Sequence, residues 1–218
     1  GTSPDDFMGD HETWVKSENI LKEIVEKSGF EYFIGKGEGA FNGPKLDIMI
    51  EDFGKRLWHT GTIQLDFQLP KRFGLKYIDF DGKEKMPVVI HRVIYGSLER
   101  FIGILIEHYA GAFPVWLAPA QAKIIPISEK SMNYAKSVAE KLKSIDTRVE
   151  IDDRNERMQA KIRDAEMEKV PYILVIGPKE SETDSVSVRV RGEKDLGVMK
   201  IDAFLNLIKT DIANKSQV

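Results

Sequence analysis

The chain has 218 residues, 42% of them hydrophobic and 31% charged, with a formal net charge of −3. This profile excludes a disordered chain, and the negative balance excludes general electrostatic attraction to nucleic acid, leaving that role only to a local basic patch. Cysteine is absent, which excludes a disulfide framework, a thiolate nucleophile and a thiolate metal ligand. No apolar run approaches the roughly 20 residues that cross a bilayer, and the N-terminus lacks a basic region followed by an apolar core, so the expected setting is the cytoplasm or an organellar matrix.

In chain order, Asp10 to Ser28 has the spacing of an amphipathic helix, with Trp14, Leu21, Ile24 and Val25 on one side and Gly29 as its stop. A strand is expected over Phe30 to Ile34, then a glycine-rich loop from Gly35 to Lys45. Leu46 to Ile50 alternates like a strand and leads to a turn at Asp52 to Lys55. The next strand should return antiparallel, with Ile63, Leu65 and Phe67 packing on one face and Thr62, Gln64 and Asp66 polar on the other. Pro87 to Arg92 feeds a helix starting near residue 98, for which Ser97 is the N-cap and Leu98, Phe101, Ile102, Leu105, Ile106 and Tyr109 form the packing stripe.

After Phe113 to Pro119 the rhythm changes to apolar strands alternating with helices. Strands are expected over Ala122–Ile127, Arg148–Ile151, Pro171–Gly177 and Ser185–Arg191. Helices are expected over Glu129–Ser144, Glu156–Glu168 and Ile201–Ala213, the last with Phe204, Leu205, Ile208 and Ile212 inward. A boundary near Trp116 divides the chain into domains 1–116 and 117–218: an α+β domain built on an antiparallel sheet, then an α/β domain with a mixed sheet. There is no internal repeat and no low-complexity tract.

Arg100 occupies the first turn of its helix, where the dipole and free N–H groups favour acids; a cation there suits a bound anion such as phosphate, or else a surface ion pair. The glycines at 35, 37, 39 and 43 do not make a Walker loop, because Lys45 precedes Leu46 and a strand rather than Ser or Thr and a helix. They suit a tight strand entry and a close backbone approach to a ligand. Gln64, flanked by Thr62 and Asp66, is either a set of donors and acceptors for a ligand or ordinary sheet polarity. His91 is a satisfied polar group or a metal ligand. The late basic residues, diluted by Asp152, Asp153, Glu156, Glu166 and Glu168, read on charge alone as a solvated surface.

The stretch from Pro87 to Arg100, the helix through Tyr109-Ala110-Gly111 and the ending Phe113-Pro114-Val115-Trp116-Leu117-Ala118-Pro119 resemble the third signature motif of threonyl-tRNA synthetases, which are class II enzymes. The resemblance extends upstream through Gly37 to Lys45 and Gly61 to Phe67, and downstream through Asp153-Arg154-Asn155-Glu156, Lys161-Ile162-Arg163, Val170 to Gly177, Lys179-Glu180 and Val188 to Arg191. It implies the second half of a class II catalytic domain followed by an anticodon-binding domain, and a threonine–tRNA ligase that activates threonine with ATP and magnesium and passes it to tRNA(Thr). A non-catalytic tRNA-binding protein derived from a synthetase is the alternative.

The resemblance implies roles for individual residues. Arg100, Lys45 and Gln64 would serve the reaction; Arg100, Thr62 and His59 would face ATP; Gln64, Asn42 and His91 would hold threonine. His91 would be one of three zinc ligands, in a geometry that selects threonine over isosteric valine through its hydroxyl. Asn155, Arg163, Glu180 and Arg189 would contact anticodon bases, mixed donors and acceptors suited to the edges of unstacked bases. The remaining zinc ligands, the dimer interface of a homodimer and the main ATP arginine are expected upstream of residue 1, so the chain alone is expected not to activate threonine. Asn42, His59 and Thr60 stand where that family usually has tyrosine, glutamine and cysteine, changes that touch the active-site wall.

Overall fold

The computed structural model describes residues 8–192 and 194–218. Residues 1–7, which open the expected 1–116 domain, and residue 193 lie outside the described residues. The chain divides into two compact units, Gly1–Ile104 and Leu105–Val218.

The first unit opens with α1 (His11–Ser28), capped by the Asp10 carboxylate, which accepts from the Thr13 N–H at 2.7 Å, and ended by Gly29 at φ 74°. Its covered side runs through Trp14, Ser17, Leu21 and Val25, while Ile24 lies outside that stripe and is exposed. The Trp14 indole N–H donates to the Met8 carbonyl. Phe30 to Ile34 forms no strand. Its aromatic and branched side chains favour extended backbone, but a strand exists only with a ladder partner, and none is described for this segment.

β1 (Lys45–Glu51) and β2 (Leu57–Asp66) pair antiparallel, Lys45 opposite Gln64. The expected turn and return are present. A bulge interrupts the register between Ile48 and Met49, where Gly61 and His59 are the successive partners; the extra residue, Thr60, donates its hydroxyl to the Ile48 carbonyl at 3.0 Å. The short helix α2 (Gln68–Arg72) and the hairpin β3 (Tyr77–Ile78) and β4 (Glu84–Lys85) follow, none of them expected. β5 (Val89–Val93) then pairs with the other edge of β2, Gln64 opposite His91, completing a sheet of order β1-β2-β5. The face carrying Ile63 and Leu65 is only half-buried, so it is not the packed face that the alternation suggested.

α3 (Leu98–His108) begins where expected, the Ser97 hydroxyl accepting from the Arg100 N–H. Its apolar stripe is not covered as expected: Ile104 is buried, while Leu98, Ile102 and Ile106 are each about half exposed.

The second unit contains β6 (Ala122–Pro126), α4 (Met132–Lys143), β7 (Val149–Ile151), α5 (Met158–Met167), β8 (Tyr172–Ile176), α6 (Pro178–Glu182), β9 (Ser185–Val190), β10 (Lys194–Lys200) and α7 (Ile201–Asn214). The sheet order is β10-β9-β8-β6-β7, parallel across β7, β6 and β8 and antiparallel at β9 and β10, which is the expected mixed sheet with one further edge strand. One face buries Ile124, Tyr172, Leu174 and Val188 against Val138 and Leu142 of α4 and Phe204 and Ile208 of α7. On the other face α5 covers Ile125, Ile173 and Val175 with Ile162 and Ala165. Helices on both faces explain why β8 is apolar throughout and β6 is apolar but for Lys123, whose ammonium pairs with Glu168.

The boundary expected near Trp116 falls inside this second unit. Val115 is fully buried and its carbonyl accepts from the Gln121 amide; the Trp116 and Ala118 carbonyls accept from Arg148, and the Phe113 carbonyl from Arg191. A segment held by so many side chains from one sheet belongs to that sheet.

Candidate functional site

In the first unit the backbone approach that shapes the site is at Gly43. A Cβ there would lie 1.8 Å from the Leu65 carbonyl oxygen, so only glycine fits, and the loop is drawn onto β2 in a tight strand entry. Asn42 is thereby buried beside Gln64, whose amide N–H donates to the Asn42 Oδ1 at 2.5 Å.

Residues on paired strands share a face when they are directly opposite or two apart. Lys45 and Asp47 of β1, Thr62, Gln64 and Asp66 of β2 and His91 of β5 therefore form one polar row, and the bulge at Thr60 turns His59 onto the same side, within reach of Asp47. The structure thus brings together Lys45, His59, Thr62, Gln64, His91 and Asn42. Two carboxylates organise them. Asp47 receives the Lys45 ammonium at 2.6 Å and the Thr62 hydroxyl at 2.6 Å, with the His59 Nδ1 at 3.5 Å. Burial raises the Asp47 pKa, but the hydrogen bonds from Lys45 and Thr62 outweigh it and leave the carboxyl below its ordinary value.

Asp66 is fully buried and accepts from the backbone N–H groups of Gln68 and Leu69 at 2.8 and 3.0 Å, which starts α2. It also faces the His91 Nε2 at 2.9 Å and hydrogen-bonds Asn42. Burial pushes its pKa up, yet the bonds from Leu69, His91, Gln68 and Asn42 together bring it down to about 2. Sequence spacing points to Asp66 only as a neighbour of Gln64 and does not single out Asp47. Their signal was the alternation itself, since Asp47 sits two residues from Lys45 and Asp66 two from Gln64.

Arg100 is placed differently. Gly96, at φ 66°, comes so close to the bulge that a Cβ would lie 2.9 Å from the Thr60 carbonyl. This contact seats the start of α3 by β2, and the Arg100 guanidinium lies over the Trp58 ring, 5.2 Å from its centroid. Trp58 is itself fixed by its indole N–H donating to Asp52 at 2.8 Å, and Asp52 also accepts from Arg56. Arg100 is exposed, with its other face open to a planar or anionic group.

Of the three zinc ligands that the resemblance implies, this chain is expected to hold only His91. Among the described residues no three of His, Asp and Glu are grouped to hold a metal ion, and His91 has one ring nitrogen turned to Asp66.

In the second unit the carboxyl ends of parallel strands, where loops of such sheets meet ligands, carry two of the expected contacts. Asn155 lies in the turn between β7 and α5, and Glu180 in the first turn of α6 after β8. Glu180 accepts from the Gly177 N–H at 2.8 Å, a bond that fixes the start of α6. Arg163 is on α5 with its side chain largely exposed and only a 3.7 Å approach to Asp164. Arg189, opposite Ile173, lies on the α5 side of the sheet and is 3.8 Å from Asp195. Arg154, by contrast, is committed: it bonds Asp152 at 2.6 and 2.9 Å and Asp164 at 3.0 Å. The Arg154 hydrogen bond holds the Asp152 carboxyl below its ordinary range.

Known proteins with this sequence pattern agree with both halves. Residues 7–109 match the family described as tRNA synthetase class II core domain (G, H, P, S and T), and residues 121–211 the family described as anticodon binding domain. A threonine–tRNA ligase of Sulfurihydrogenibium sp. (strain YO3AOP1) is 51% identical over 98% of the chain and 33% of its own length; that of Acetivibrio thermocellus is 54% identical over 98% of the chain and 34% of its own length. The chain therefore spans about a third of the length of these relatives. A crystal structure of the RNA binding domain of threonyl-tRNA synthetase from Cryptosporidium parvum Iowa II superimposes with a TM-score of 0.84 at 39% identity, covering 96% of this chain and 53% of that one. With the fold, the two domain matches and these relatives in agreement, the chain belongs to the threonyl-tRNA synthetase family, comprising a portion of the class II core domain followed by the anticodon-binding domain.

Proposed function

We propose that this chain is the tRNA-reading and substrate-facing part of a threonine–tRNA ligase. The observation that carries the reading is the row of Lys45, Thr62, Gln64 and His91 on one sheet face, held by Asp47 and Asp66, in a chain about half identical to enzymes named threonine–tRNA ligase. In the proposed reaction the threonine carboxylate attacks the α-phosphorus of magnesium-bound ATP, pyrophosphate leaves, and a ribose hydroxyl of tRNA(Thr) then takes the threonyl group and releases AMP. Lys45 and Arg100 supply fixed positive charge for the reacting phosphate, Arg100 from its seat on Trp58, while Gln64 offers its second amide N–H and Thr62 its hydroxyl oxygen as an acceptor to the substrates. No side chain acts as a nucleophile.

In the second unit, Asn155, Arg163, Glu180 and Arg189 are proposed to read the anticodon. The test is binding of tRNA(Thr) to the purified chain: Arg189→Ala should weaken it by about 1–3 kcal/mol, the scale of one base-specific contact. Unchanged affinity would overturn the anticodon assignment. Threonine-dependent pyrophosphate exchange by the chain alone is expected to be absent.

A second reading, a non-catalytic tRNA-binding protein, is favoured by one observation. Asn42 and Gln64, both proposed to hold threonine, hydrogen-bond each other. Threonine-dependent pyrophosphate exchange by a longer protein that includes this chain separates the two, since only the ligase turns over.

A further inference from the structure

The turn before α5 is built around an ammonium group that none of the roles above employs. Lys161 is 5% exposed, beside Ile162 and Ala165, which pack on the sheet. An apolar side chain at that position would avoid the cost of burying a cation. The Lys161 Nζ donates instead to the Asp152 carbonyl at 2.9 Å and lies 4.0 Å from the Asp152 carboxylate.

Asp152 is buried too, and its own N–H donates to the Ile124 carbonyl of β6. Its carboxylate accepts from the Arg154 backbone and guanidinium, and Arg154 reaches on to Asp164 of α5. The Glu156 N–H donates to the Arg154 carbonyl, and the Lys161 N–H to that of Arg157. Asp152 is thus tied to β6, Arg154 and Arg157 to α5, and Glu156 to Arg154, while Asn155 is exposed. The Lys161 ammonium fixes the first residue of the turn, Asp152, and Arg154 fixes its middle by bridging Asp152 to Asp164.

We propose that Lys161 is a positioning residue for anticodon recognition, latching the Asp152–Arg157 turn so that the Asn155 amide meets an unstacked base in one preset geometry. This rests on the anticodon reading proposed above. Ordering the turn before the RNA arrives removes an entropy cost that would otherwise be charged to binding. Arg154 is the solvent-side half of the same latch.

The test is a double-mutant cycle on this chain, with affinity for a hairpin of the tRNA(Thr) anticodon arm read by fluorescence anisotropy. Asn155→Ala and Lys161→Met are each expected to weaken binding roughly tenfold, and the double variant to be no more than about threefold weaker than either, because both remove one contact. Lys161→Arg, which keeps a donor, should restore affinity. Arg154→Gln repeats the cycle from the exposed side of the turn with the Lys161 ammonium kept in place under Asp152, which covers the case of a Lys161→Met chain that does not fold. If both cycles give the product of the single effects, the latch is overturned while the anticodon reading stands. If Asn155→Ala alone leaves affinity unchanged, the anticodon reading falls and the latch with it.

Discussion

The two units spend their apolar residues in opposite ways. In the second, Phe204, Tyr172, Ile124 and Leu174 are almost wholly buried between a sheet and helices on both of its faces. In the first, the buried apolar side chains among the described residues are Trp14, Ile104 and two prolines, Pro44 and Pro70, while Phe30, Phe33, Phe73 and Phe80 are all more than 60% exposed. Its sheet is held by ladder hydrogen bonds and by carboxylates, Asp47, Asp52 and Asp66, each serving several donors. In a chain that carries only a portion of the class II core domain, the polar row keeps its geometry through anions satisfied from several directions.

Four measurements would break or sharpen that contrast. Phe204→Ala in the second unit should cost about 3–5 kcal/mol in chemical denaturation, the range for emptying an aromatic from a close-packed core. Asp66→Ala in the first should cost about 1–3 kcal/mol, since it leaves the Gln68 and Leu69 N–H groups and Asn42 without their shared acceptor. A near-zero loss there would mean that the carboxylates do not hold the first unit.

The third is a pH titration of stability. Because the folded Asp66 pKa is about 2 and the unfolded value is about 3.9, its contribution is complete above the unfolded value. It is lost as pH falls from about 4 towards 2, and Asp66→Asn should flatten that part of the profile. Smallest of all, Phe80→Ala at the tip of the β3–β4 hairpin should stay within about 0.5 kcal/mol of the parent, although it removes the same ring as Phe204→Ala.

Much of this arrangement was legible in the residues. Period-two alternation located β2 with its polar face, and the approach to Arg100 through Ser97 located α3 and its cap. β6, α4, α5, β8, β9 and α7 followed from apolar runs and helical spacing. What escaped was short or non-local. α2 has five residues with Pro70 among them and is started by Asp66 rather than by its own periodicity. β10 contains Gly197, which weakened its pattern, and the β3–β4 hairpin had its signal in Asp81-Gly82 but only two residues in each strand. The segment Phe30 to Ile34 erred in the other direction, because composition reports a preference for extended backbone and says nothing of a neighbour to pair with.

For the site, sequence spacing put Thr62 and Gln64 on one face, but it could not show that a bulge at Thr60 turns His59 to the same side. Nor could it show that Arg100 rests on Trp58, forty-two positions earlier, since that contact depends on the tight approach of Gly96 to β2. Long-range seating of this kind leaves little trace in local pattern.

The stapling of residues 113–121 bears on how the second unit could be excised as a separate fragment. A cut at Leu117, where composition changes, would strip the Phe113 carbonyl from Arg191, the Val115 carbonyl from the Gln121 amide and the Trp116 carbonyl from one arm of Arg148, and would discard the buried Val115. A fragment opening a few residues before Gly111 would carry its own lid and should be the more soluble and cooperative of the two.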